Sequence, residues 1–244
     1  VYAPVLEFDS KAFRDFQKYT EAQGASITIP APGDSFALGS ATVQILGPQR
    51  EYSNANNTSI VLKVTHGAVS FLFTGDAERE AEEDILGAGY DLEATVLKVG
   101  HHGSETSTSY PFLRAIMPQY AVISVGDGNS YGHPNEDTLS RLRDAGAIVY
   151  RTDMQGHIIA TSDMETVSFD TQTQALGLTN PTEGDGSGQN GSVSQPEYYI
   201  GNLKSLKYHL PTCHSLPAEQ NQIRFDTLDE AIAEGYTPCT YCNK

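Results

Sequence analysis

Between Ala25 and Gly75 four short runs alternate or concentrate β-branched and aromatic residues: ASITIP, ATVQILG, SIVLKVT and VSFLFTG. Period-two alternation over such lengths, bounded by Gly, Pro and Asn, predicts strands joined by turns. Ahead of them, Asp9 or Ser10 can cap a helix that carries Phe13 and Phe16 and stops at Gly24. After Asp76 the period changes. AEREAEEDILGAG places acidic residues in its first turns, where the positive end of a helix favours them, and ends on glycine. Strand and helix patterns then alternate. ATVLKVG is followed by STSYPFLRAIM with a Ser or Thr cap, and YAVISVG by HPNEDTLSRLRDAG with Pro134 in the first helical turn and Gly146 at its exit. AIVYRT, GHIIATS and TVSFDT close the series as strands. Antiparallel-type strands followed by strand–helix–strand units predict a sheet-rich α/β sandwich over residues 1–171.

The pattern stops at about Gln172. Residues 172–197, QTQALGLTNPTEGDGSGQNGSVSQPE, are polar, rich in Gly and Ser and without periodicity, which predicts a flexible linker between separately tumbling modules. Residues 198–244 make a segment too short for an ample core, so it needs a staple. Within it FDTLDEAIAEGY predicts one helix, with Thr227 and Glu230 as a capping box and Gly235 as the stop.

Charge narrows the function classes. The chain of 244 residues carries a formal charge of −16, and nearly all of it lies in the body, with 11 Lys/Arg against 26 Asp/Glu in residues 1–197. Four against five remain in the tail. Phosphate affinity comes from clustered cations, so the acidic body argues against a broad electrostatic DNA-binding face, and DNA contact would need a local groove or a bound metal. No apolar run is long enough to span a bilayer. The opening VYAPVLEFDSKAF has neither an initiator Met nor a targeting signal and reads as the interior of a longer protein.

All three cysteines sit in the tail, an odd number that argues against a disulfide framework. With His209 they form H-x3-C-x25-C-x2-C: His209, Cys213, Cys239 and Cys242. Two thiolates two residues apart can turn onto one tetrahedral cation, and the sulfur and imidazole donors select zinc. Four protein ligands leave no open position, so the predicted site is structural. His214 competes with His209 but adjoins Cys213. The segment YYIGNLKSLKYHLPTCHSLP…FDTLDEAIAEGYTPCTYC resembles the Ada-like metal-binding domain over nearly the whole tail. That family's thiolate accepts a methyl group and its domain contacts DNA. A histidine at the first ligand position departs from that pattern and is similar to the divergent form appended to nucleases and secreted enzymes.

In the body, Asp76 follows a strand on a Thr-Gly turn, and His101 and His102 end another strand 25 and 26 residues on. A carboxylate bridging two cations with an imidazole capping one is half of a binuclear hydrolase site. His133 opens the following helix, where it could meet a phosphate or leaving group, and Ser104 and Thr106 are candidate donors to substrate. His66 and His157 sit in turns and read as solvated. FLFTGDAEREAEEDIL, ATVLKVGHHGSETSTS, NNTSIVLKV, AVISVGDGNSYGHP and DTLSRL together resemble the second half of a metallo-β-lactamase fold, closest to the hydrolase domain of ComEC-type competence proteins, over residues 1–170.

The resemblance implies an incomplete αββα sandwich, with Asp76 as bridging ligand, His102 as metal ligand and His101 as supporting or alternative ligand. Asn57, where many relatives place a histidine ligand, becomes a contact to substrate or to a ligand. It further implies two Zn or Mn ions in the intact parent, beside the structural Zn of the tail. The implied activity is phosphodiester hydrolysis, most simply by a nuclease acting on DNA, in an extracytoplasmic or cell-surface setting. The family's H-x-H-x-D-H motif does not occur in this chain. The expectation is therefore that the missing N-terminal half of the domain completes the site and that this chain alone is inactive. The alternative is a non-catalytic module that binds DNA or a cell-surface polymer and carries only the structural zinc.

Overall fold

The computed structural model describes residues 1–173, 179–180, 198–211, 213 and 216–239. Helix α1 (Lys11–Ala22) starts at Ser10, whose hydroxyl accepts from the Phe13 amide at 3.0 Å. A seven-stranded sheet follows in sequence order: β1 (Ser35–Leu38), β2 (Ala41–Gly47), β3 (Val61–His66), β4 (Val69–Phe73), β5 (Val96–Lys98), β6 (Tyr120–Ile123) and β7 (Ile148–Arg151). The first three pairings are antiparallel and the last three parallel. The change falls at β4 because parallel neighbours need a crossover. Helices α2 (Arg79–Gly87), α3 (Tyr110–Ile116) and α4 (Glu136–Asp144) supply those crossovers.

Alternation along the strands then sorts the two faces. Leu72, Leu97, Ala121, Ile123 and Val149 point to one face, where Ile85, Phe112, Ile116 and Leu142 of the helices bury them in the main core. A separate hairpin, β8 (Ile158–Ser162) with β9 (Val167–Thr171), covers part of the other face. Its Phe169 ring stacks 4.3 Å from Tyr150 and lies 4.9 Å from Tyr120. The body is thus a mixed α/β sandwich of helices, large sheet and small sheet, and a small module follows it. Helix α5 (Thr152–Gln155) is a single turn between β7 and β8.

Three local expectations need correction. ASITIP forms no strand but contributes one isolated bridge, Tyr2 to Thr28. Strand β1 lies outside the expected strand segments, and all four of its residues, Phe36 and Leu38 among them, are exposed. Pro134 precedes helix α4 instead of entering its first turn, since Asn135 is the cap and accepts from the Asp137 amide.

The tail forms a four-stranded sheet in the order β12 (Gln222–Phe225), β10 (Tyr199–Asn202), β11 (Lys207–His209), β13 (Thr237–Pro238), with helix α6 (Leu228–Ala233). Thr227 caps α6 by accepting from the Glu230 amide, while the Glu230 carboxylate accepts from the Asp226 amide. Among the described residues its apolar cluster is small: Tyr208, Phe225, Ala231 and Tyr236. Gly201 is required there, because a Cβ would stand 2.5 Å from the Phe225 ring and 2.6 Å from Tyr236.

Separate tumbling of body and tail, expected from the linker, does not match the packing. Asp144, at the end of α4 and 1% exposed, accepts from the Tyr110 hydroxyl of the body at 2.7 Å and from the Asn202 amide of the tail. Within the stretch read as linker, Asn180 bonds Arg143 and the Leu139 carbonyl, and the Thr179 carbonyl accepts from Arg151. The remainder of residues 174–197 lies outside the described residues.

Candidate metal centres

In the body the strand ends set the geometry. Strand β4 stops at Phe73, and Thr74 donates its hydroxyl to the Lys98 carbonyl on the neighbouring β5. Gly75 then turns the chain through a positive φ, and the Asp76 amide is held by the Ser59 hydroxyl at 2.9 Å. On the next strand end, His101 and His102 both adopt left-handed backbone, with φ of 47° and 56°. Two consecutive non-glycine residues in that region are strained, and such strain persists only where surrounding bonds hold it. Here the His101 amide donates to the Gly75 carbonyl and the Gly100 amide to the Thr108 hydroxyl. Gly103, at φ +86°, closes the turn where a Cβ would stand 2.6 Å from that of Pro134.

This brings Asp76 and His102 together. His102 Nδ1 lies 2.7 Å from the Ser124 carbonyl, which can only accept, so in the neutral ring Nδ1 carries the proton and Nε2 a lone pair. Nε2 faces Asp76 Oδ1 at 3.5 Å. Two acceptors directed at each other repel unless a proton or metal cation lies between them. Tetrahedral bonds of roughly 2 Å from one cation put two such donors about 3.4 Å apart, so the spacing fits a shared metal.

The other predicted residues divide. His101 Nδ1 is 3.3 Å from Glu78 Oε1 and, though buried, makes no hydrogen bond. His133 joins the cluster with its ring 5.8 Å from His101, and its Nδ1 is likewise buried without a partner. Burial, then the neighbouring His101 and His102, hold the His133 pKa below the ordinary imidazole value, despite an opposing pull from Asp76. Asn57 is 2% exposed and bonds the Glu78 amide and the Glu80 carboxylate, so it fixes the start of α2 instead of facing solvent. Ser104 is also buried, its hydroxyl paired with Thr106. His66 lies apart, between Ser40 and Ser162.

Sequence reading passed over Glu78, held by Asn54 and Asn56 beside His101, and Asn129, whose side chain binds both the amide and the carbonyl of His133. The only signals were the SNANN run and the asparagine four residues before His133. A cavity of about 370 Å³ adjoins the cluster, lined by His102, Ser124, Asn129, Tyr131, His133 and neighbours. Tyr131 is 81% exposed and stacks on His133 at 5.9 Å.

The tail donors are more complete. His209, Cys213 and Cys239 are all buried, and their ligand atoms lie within 4.8 Å of one another. His209 Nδ1 is 3.5 Å from Cys213 Sγ, and the two sulfurs are 3.9 Å apart. A tetrahedral zinc with bonds of about 2.0 Å to nitrogen and 2.3 Å to sulfur sets these spacings near 3.5 and 3.8 Å. Cys242 and His214 lie outside the described residues. Among the described residues this is the one place where three such donors converge.

Residues 192–244 match the family model of the metal binding domain of Ada. Over 137 residues the chain is 36% identical to ComE operon protein 3 of Bacillus subtilis (strain 168), covering 56% of this chain and 18% of that protein. It is 43% identical over 109 residues to competence protein ComA of Neisseria gonorrhoeae, covering 44% of this chain and 16% of that one. Recombination protein 2 of Haemophilus influenzae is 37% identical over 116 residues, 47% and 14% of the two chains. The body is ComEC-like and the tail Ada-like. Each match spans less than a fifth of the relative's length. The Ada-like tail, with its His209, Cys213 and Cys239 cluster, is a zinc site.

Proposed function

We propose that the ComEC-like body is part of a metal-dependent phosphodiesterase of the metallo-β-lactamase type, a nuclease acting on DNA in a competence-related protein. The facing Nε2 of His102 and carboxylate of Asp76, two groups placed at the spacing that a shared metal ion would set, carry this reading. The names borne by the similar proteins support the competence setting. In this reading Asp76 and His102 hold a Zn or Mn ion, which when bound would neutralise charge on a phosphoryl oxygen. By accepting from Nδ1, the Ser124 carbonyl selects the neutral tautomer whose Nε2 can ligate. His133, whose pKa burial holds below the ordinary imidazole value, would offer one N–H to the leaving oxygen. Tyr131 provides a face for a base or sugar to stack on, a sequence-tolerant contact suited to nucleic acid. His101 and Glu78 form the flank of the site, and Asn57 and Ser104 shape the turns that present it.

Two body donors hold a metal weakly, so residues 1–244 alone should be inactive and a longer protein extended upstream of Val1 should supply the remaining ligands. That longer protein should cleave plasmid DNA or a nitrophenyl phosphodiester with Mn or Zn. Asp76→Ala should lower the rate by about 100-fold or more, the loss expected when a metal ligand is removed. Cleavage unaffected by Asp76→Ala would end the hydrolase reading. Body metal binding without any phosphodiester cleavage would overturn the substrate assignment.

The convergence of three donors in the tail, against two in the body, favours a second reading, a binding module for DNA or a cell-surface polymer with zinc in the tail alone. Metal content separates the two: about three ions in the longer protein for the hydrolase, one for the binding module.

A further inference from the structure

Helix α4 ends on Asp144, a position that local physics disfavours, since the carbonyl end of a helix repels a carboxylate. The tail accounts for it. One oxygen, Oδ2, is held by the Tyr110 hydroxyl and the Asn202 amide. The other, Oδ1, is buried, has no hydrogen-bond partner, and points at His209 Nε2 at 3.9 Å. That nitrogen is also buried and without a hydrogen bond, while the opposite ring nitrogen, Nδ1, faces Cys213 Sγ. Both residues are essentially inaccessible, with Asp144 1% and His209 0% exposed. Bulk solvent therefore reaches neither group.

We propose that Asp144 is a positioning residue for the tail zinc site: a carboxylate from the body accepts the Nε2 proton of His209 and directs its Nδ1 lone pair at the metal. A histidine ligand needs its other nitrogen anchored, because that bond selects the tautomer, fixes the ring plane and raises the basicity of the ligating nitrogen. A cysteine ligand has no such requirement. The dependence on the body thus follows from a histidine, not a thiol, standing at this ligand position. Metal retention and docking of the tail are then one event: loosening α4 from β10 withdraws the anchor, and losing zinc frees the ring that Asp144 faces.

The test uses the whole zinc-loaded chain and follows release of zinc to a chromogenic chelator. Asp144→Ala should release zinc about 10- to 100-fold faster, the usual effect of removing such a partner. Asp144→Asn, whose carbonyl can still accept from Nε2, should recover much of the difference. Release from Asp144→Ala at the parent rate would overturn the proposal. Disturbed docking or folding could also speed release, so the same change is made in His209→Cys. With a thiolate ligand, Asp144→Ala should alter release less than twofold. An equal acceleration in both backgrounds would show that Asp144 acts through packing alone and would overturn the positioning role.

Discussion

His101, His102 and Gly103 place three consecutive residues at positive φ, and only the last is glycine. The ligand-type side chains occupy the strained positions, and the glycine lies where Pro134 leaves no room for a Cβ. Gly103→Ala should therefore lower stability by about 2 kcal/mol through backbone strain and overpacking, measured by urea unfolding. An unchanged midpoint would mean the turn relaxes freely. His133 permits a pH test. Its folded pKa lies below the ordinary value of 6.5, so the unfolded chain binds the proton more readily. Its contribution to stability is complete above pH 6.5 and declines as pH falls through and below that value. An NMR titration should find the ring midpoint below 6.5, and His133→Gln should lose less stability on acidification than the parent. A midpoint at or above 6.5 would contradict the desolvated environment.

At the scale of elements, hydrophobic period and capping chemistry made most of the body legible: β2 to β7 and α1 to α4 lie within or close to the expected segments. The failures are physical. Strand β1 carries Phe36 and Leu38 yet leaves all four of its residues exposed, while ASITIP has the strand pattern but lacks a partner strand. Asp76 and the paired histidines could be read because strand ends in such folds present side chains at one edge. The burial of Asn57 and Ser104 could not, because it depends on how loops from different crossovers close over them. In the tail the apolar cluster among the described residues is small, so folding should depend on metal. A closed thiolate site contributes on the order of 10 kcal/mol, so chelation or Cys239→Ser should unfold the tail while the seven-stranded sheet persists. Hydrogen exchange should show loss of protection across β10 to β13. A protected tail after complete zinc removal would contradict this.

Across the whole molecule, the Gly/Ser composition of the connecting stretch suggested independent modules, because linker composition reports reach and not docking. The Asp144 network and the contacts of Thr179 and Asn180 join distant parts of the chain. Nitrogen relaxation should accordingly give the amides of β10 to β12 and of the large sheet a common tumbling time; a distinctly shorter time for the tail would mean it is undocked in solution. At the other end of the body, Asp76 and His102 are proposed to form half of a divalent metal site. The most direct test is a Mn²⁺ titration of the zinc-loaded chain followed by NMR, which registers even weak binding through local line broadening. Signals of Asp76, His102 and the turn between Gly100 and Gly103 should broaden first, and Asp76→Asn should abolish the effect there. Broadening confined to other acidic surfaces, or unchanged by Asp76→Asn, would contradict the assignment.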